Sequence, residues 1–132
     1  MLLAALASEM GGLDLLVLCS GVGRMNPDLD YGLELPTVDT NVRGWTAVAD
    51  WAFSFFMRQG YGHLAAISSV AGIRGLAPAP AYSASKGISD SLFGSVTATC
   101  TYFPQEGLRD GCSSRVCPYS FAFSSRNVVL GG

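Results

Sequence analysis

At 132 residues, 49% hydrophobic and 14% charged, the chain is long enough for one domain with a core, too short for two, and unlike a disordered segment in composition. Its net charge of −2 gives no basis for nucleic acid or an anionic membrane surface as partner, and no apolar run approaches bilayer-spanning length. Four cysteines without paired spacing make neither a disulfide framework nor a metal site.

"MLLAALASEM", residues 1–10, reads as an amphipathic helix. A helix is expected here rather than a signal peptide, because a basic start is lacking and the short apolar stretch runs straight into "EMGGLD". Gly11 and Gly12 break this helix. "LDLLVLCS" is a continuous apolar run, which predicts a strand buried on both faces of a parallel sheet. Cys19 at its end then reads as a buried thiol of a reducing compartment, so the expected location is cytoplasmic.

"GVGRMNPDLDYGLELP" reads as loop, being rich in Gly, Pro, Asn and Asp. A helix is expected from Pro36 or Thr37 through "DTNVRGWTAVADWAFSFFMRQ". Trp45, Trp51, Phe53, Phe55 and Phe56 make it apolar nearly all round. Either the helix is sandwiched within its own domain, or its second face is covered by another subunit in a homo-oligomer formed through helix 45–58. "GYG" turns the chain and "HLAAISS" is the next buried strand. After the loop "VAGIRGLAPAPA" comes a helix with Tyr82 and Lys86 on one face. Strand, helix, strand, helix with short connections predicts an α/β domain with a parallel sheet and right-handed crossovers.

Tyr82 and Lys86 carry the chemistry. Four residues apart on a helix they are neighbours, and an ammonium beside a phenol favours its ionised form, which suits tyrosine to acid/base work. Ser69 ends a strand, where such sheets present ligands, and its hydroxyl is placed to hold a carbonyl or alcohol oxygen. A lone Tyr-x-x-x-Lys pair is most often solvated helix surface; the buried strand, the Gly/Pro loop and the frame "AYSASKG" set this one apart. Gly21-Val22-Gly23 imitates a dinucleotide fingerprint, but residue 26 is Asn and no helix opens there, so it reads as a turn. A Ser-His-Asp hydrolase would need His63, the only histidine, which precedes Ser69 and has no Gly-x-Ser-x-Gly elbow near it.

"LDLLVLCSGVG", "DTNVRG", "ISSVAG" and "YSASK" resemble, in order, consecutive motifs of the short-chain dehydrogenase/reductase family, with the serine thirteen residues before the tyrosine. The resemblance covers residues 1–86 and implies a partial Rossmann-like, doubly wound parallel sheet. It implies a catalytic set of Asn41, Ser69, Tyr82 and Lys86. Ser69 would position the substrate oxygen, Tyr82 donate or accept the proton, Lys86 support it and hold the nicotinamide ribose, and Asn41 anchor a relay water. Ser20, Gly21, Tyr82 and Lys86 would bind the cofactor, NAD(H) or NADP(H), and the substrate would be a small-molecule alcohol or carbonyl. "CSG" at 19–21 stands where the family commonly has Asn-Ala-Gly; only Gly21 matches.

The family domain opens with a strand and a glycine-rich phosphate loop. This sequence begins beyond that point, so residues 1–86 are expected to form a partial domain. From Gly87 the helical periodicity fades. "GISDSLFGSVTA" can be encoded so that the frame one base later reads AYQTHYLEALRQ, an amphipathic helix. "RDGCSSRVCPY" can be encoded so that the same frame reads VTDVRPGFVPT, a strand followed by the family's Pro-Gly-x-x-x-Thr turn. Residues 87–132 are therefore expected to be a frameshifted, poorly packed or disordered tail, the alternative being a divergent but genuine C-terminus. The lineage therefore reads as an oxidoreductase, while this chain, lacking the phosphate loop, is expected to be inactive on its own. The alternative function is a non-catalytic fragment or pseudogene product, either alone or associated with intact relatives through the aromatic helix.

Overall fold

The computed structural model describes residues 2–102 and 120–122, with side chains through residue 95. In chain order the elements are α1 (Leu2–Glu9), β1 (Leu15–Leu18), α2 (Tyr31–Val38), a π-helical turn (Asp39–Gly44), α3 (Trp45–Gln59), β2 (His63–Ile67), α4 (Val70–Ile73), α5 (Pro80–Tyr102) and β3 (Ser120–Ala122). The sheet order is β1-β2-β3 and both pairings are parallel. Leu15 stands opposite His63 and Leu18 opposite Ala66, so β1 and β2 end side by side. That shared end carries the site.

Leu18, Leu64 and Ala66 from the strands pack with Trp45, Ala49, Ala52 and Phe56 of α3 and with Phe93 of α5. The α3 members recur at helical spacing, and the two alanines, at 1% and 0% exposure, let the helix approach the sheet closely. Ala47, Asp50, Ser54 and Arg58 are exposed. The aromatic helix is thus buried along one stripe and not all round. Trp51 and Phe55 stack beside that stripe, with centroids 5.2 Å apart, and are only half-buried.

Three further expectations are corrected. The helix before the π-turn starts at Tyr31, because Asp30 caps it by accepting the Gly32 N–H at 2.8 Å; Pro36 is accommodated inside it. β1 is not buried on both faces: Leu15 and Val17 are 50% and 46% exposed, since α3 covers the opposite side and no described element covers theirs. Cys19 is exposed, because β1 ends at Leu18 and the chain leaves the sheet there.

α5 runs unbroken through Lys86 and Gly87 to Tyr102. The boundary drawn after Lys86 therefore falls inside a helix, and most of the tail lies outside the described residues. No helix among the described residues is long and apolar enough to cross a membrane.

The turn between α3 and β2 offers a stability test. Gly60 closes α3 at φ 83, donating to Phe56 O, with open space where a Cβ would stand. Gly62 has φ 145, and a Cβ there would lie 2.0 Å from Phe56 Cδ1. Gly60→Ala is expected to cost about 1 kcal/mol. Gly62→Ala is expected to cost about 3 kcal/mol or more, from strain plus displacement of a buried ring. Urea denaturation reads both; equal losses would show that the Phe56 contact does not constrain the turn.

Candidate active site

Ser69 follows β2 in extended conformation (φ −149, ψ 152) and caps α4, its Oγ accepting the Ala71 N–H at 3.2 Å. It is 6% exposed. α5 opens with Pro80, a residue suited to the first helical position. Tyr82 lies in its first turn, half-buried, and Lys86 one turn later is 5% exposed. Lys86 Nζ donates to Ile67 O at 3.0 Å and lies 5.9 Å from the centre of the Tyr82 ring. A further turn along, Asp90 accepts from Ser68 Oγ at 2.5 Å. Two rungs of α5 thereby grip the two residues that precede Ser69.

Asn41 sits in the π-turn, 2% exposed. Its Oδ1 accepts the Val22 N–H at 2.8 Å, while its Nδ2 donates to Val22 O at 2.7 Å and Ser85 Oγ at 2.9 Å. Ser85 Oγ in turn donates to Tyr82 O at 2.7 Å. Asn41 therefore ties the loop after β1 to the helix that bears Tyr82.

The glycines on either side of Val22 complete that tie. A Cβ on Gly21 would stand 3.2 Å from Lys86 Nζ, and one on Gly23 would stand 2.8 Å from Tyr82 Cδ2. Gly21, Val22 and Gly23 thus lie against Lys86, Asn41 and Tyr82 in turn. The structure brings Gly21, Asn41, Tyr82 and Lys86 together, with Ser69 on the strand end that Lys86 holds. Ser20 is exposed at the rim, and its side chain makes no hydrogen bond among the described residues. His63 begins β2 and Ser69 follows its end, so the strand separates the pair that a hydrolase would need. Sequence reasoning missed Ser85 and Gly23, although both stand in stretches it had singled out.

An ammonium has three N–H donors, and Ile67 O is the one acceptor that Lys86 meets among the described residues. Two donors remain beside a residue without a side chain, at the strand ends. That donor set fits a hydroxyl-rich ligand such as a ribose.

A sequence model of the family described as short chain dehydrogenase matches residues 1–101. The chain is 38% identical over 109 residues to an uncharacterized oxidoreductase of Myxococcus xanthus strain DK1622, covering 74% of this chain and 43% of that protein. It is 34% identical over 99 residues to an uncharacterized oxidoreductase of Mycobacterium tuberculosis strain H37Rv, covering 72% and 39%. The chain thus spans about two-fifths of the length of the curated relatives it matches. Two solved structures share the fold at 24% identity, each over 73% of this chain and 38% of theirs: NAD+-bound xylitol dehydrogenase, TM-score 0.69, and levodione reductase, TM-score 0.68.

A double-mutant cycle tests the Asn41 tie. Asn41→Ala leaves the Val22 backbone and the buried Ser85 hydroxyl without their partner and is expected to cost about 2 to 3 kcal/mol, against about 1 kcal/mol for Ser85→Ala. The double variant should fall short of the sum by about 1 kcal/mol. Denaturant melts give all three values, and strict additivity would mean that the two side chains do not cooperate.

Proposed function

The chain belongs to the short chain dehydrogenase family, and from that membership we propose that its site serves nicotinamide-dependent interconversion of a small-molecule alcohol and carbonyl. The observation that carries this reading is the buried Lys86 ammonium, set between Gly21, Ile67 O and the Tyr82 ring at the end of two parallel strands. Its two remaining donors hold the ribose of NAD(H) or NADP(H), and Gly21 leaves room for that approach. Ser20 lines the same rim. When bound, the nicotinamide accepts or supplies the hydride.

Tyr82 exchanges a proton with the substrate oxygen, giving it up when a carbonyl is reduced and taking it when an alcohol is oxidised. Ser69 holds that oxygen by a hydrogen bond. Asn41 keeps the loop beside the cofactor in register with Tyr82. A second copy covers the half-buried aromatic side of α3 at Trp51 and Phe55.

Fluorescence titration with NADH and NADPH, paired with carbonyl reduction assays, tests this. Saturable binding by the full chain is the outcome that supports this reading. Tyr82→Phe should keep binding and lose turnover by about 100-fold or more, while Lys86→Met should weaken both. Absence of saturable binding by a folded chain would favour the non-catalytic fragment instead.

Residues 87–132 form a second part of the proposal: they are translated one base out of the frame that encodes residues 1–86. Two stretches of the tail can be encoded so that the same shifted frame reads family-like helix and turn, in the correct order. The shifted reading puts a leucine at position 93, where the structure buries Phe93 at 4% exposure. The family match and α5 both continue beyond Lys86, to residues 101 and 102, so the two frames compete over that helix. Sequencing the coding DNA decides it. A gained or lost base near codon 87 is expected; an unbroken frame in the source genome overturns it.

A further inference from the structure

The first N–H groups of a helix have no partner within it, and in α5 one of them is satisfied from far away in the chain. The Ala81 N–H donates to Glu34 Oε2 at 2.9 Å. Ala81 is the second residue of α5 and immediately precedes Tyr82. A carboxylate suits this place twice, as a charge-assisted acceptor and as a negative charge at the positive end of the helix dipole.

Glu34 is itself held. Its Oε1 accepts from Nδ2 of Asn26, a residue 2% exposed. Asn26 also donates from Nδ2 to Asp30 O and accepts the Asp30 N–H at Oδ1, both at 2.9 Å. Its backbone N–H donates to Pro78 O at 2.7 Å, two residues before α5 begins. A single buried amide therefore joins the loop after β1, the cap of α2 and the approach to α5. The loop it anchors includes Gly23, against which the Tyr82 ring lies.

We propose that Glu34, held by Asn26, is a positioning residue for Tyr82: its carboxylate fixes the first turn of α5 while the same network fixes the glycine floor under the phenol ring. The proposal rests on the reading of Tyr82 as the acid/base, but its geometric part stands without turnover. Glu34→Ala removes the acceptor of the Ala81 N–H. Glu34→Gln keeps an oxygen for it. Asn26→Asp sets a second carboxylate against Glu34 and drives it from its place.

With ring-labelled tyrosine in the full chain, the Tyr82 resonance is assigned by its loss in Tyr82→Phe. That resonance is expected to shift in Glu34→Ala and Asn26→Asp and to return toward its original position in Glu34→Gln, with the Tyr61 resonance unmoved in all three. If Glu34→Ala does not fold, the contrast between Asn26→Asp and Glu34→Gln carries the test. In carbonyl reduction, Glu34→Ala should lose kcat roughly 10- to 100-fold while KM changes little, and Glu34→Gln should recover most of it. A Tyr82 resonance unmoved in Asn26→Asp, or a Glu34→Gln spectrum identical to that of Glu34→Ala, overturns the positioning role. A wild-type chain without turnover, whose Tyr82 resonance still answers to Glu34, would defeat the catalytic reading alone.

Discussion

An ammonium removed from water must find acceptors, because leaving it unpaired costs several kcal/mol. Lys86, at 5% exposure, meets that demand with the carbonyl of Ile67. The consequence is geometric: the end of β2 cannot move independently of α5. Ser69 comes two residues later, already braced as the cap of α4. The hydroxyl just beyond the strand and the phenol on the helix are therefore parts of one corner, and the lysine that unites them also lies 5.9 Å from the centre of the phenol ring.

Absent side chains matter to this corner as much as present ones. A Cβ on Gly72 would stand 2.6 Å from Asp90 Oδ2 and 3.0 Å from the Lys86 backbone, and one on Gly87 would stand 3.3 Å from Gly72 O. α4 and α5 thus touch backbone to backbone just below the Lys86 rung. Gly21 and Gly23 do the same for the loop after β1, letting main chain lie against the ammonium and the phenol ring. Such close approach fixes the distances between these elements.

What was legible in the sequence was local. Tyr82 and Lys86 announce themselves because helix periodicity makes residues four apart neighbours, and the motif order around them gave the parallel α/β arrangement that the fold and the family comparison bear out. The misreadings share a cause too. Gly, Pro, Asn and Asp in residues 21–36 are loop formers by propensity, yet the Asp30 cap starts a helix among them and Asn26 is only 2% exposed. The run Leu15–Leu18 predicted burial on two faces, but burial depends on what the rest of the fold lays on each face, and no periodicity encodes that.

Contacts that bridge remote parts of the chain were out of reach for the same reason. Asn41 meets Ser85 across 44 residues and Glu34 meets Ala81 across 47; neither pair has a spacing signature. Yet these bonds are what turn a common helical pair into a candidate site. Each contributes a net stability of only about 1 kcal/mol, more where a charge takes part, so their loss leaves much of the core intact. Their effect on position is larger in consequence, since displacing a reacting group by about 1 Å can cost roughly 100-fold in rate. Substitutions in this network should therefore separate folding from chemistry, whereas substitutions in the Trp45–Phe56 core, where burial itself supplies the energy, should remove both together.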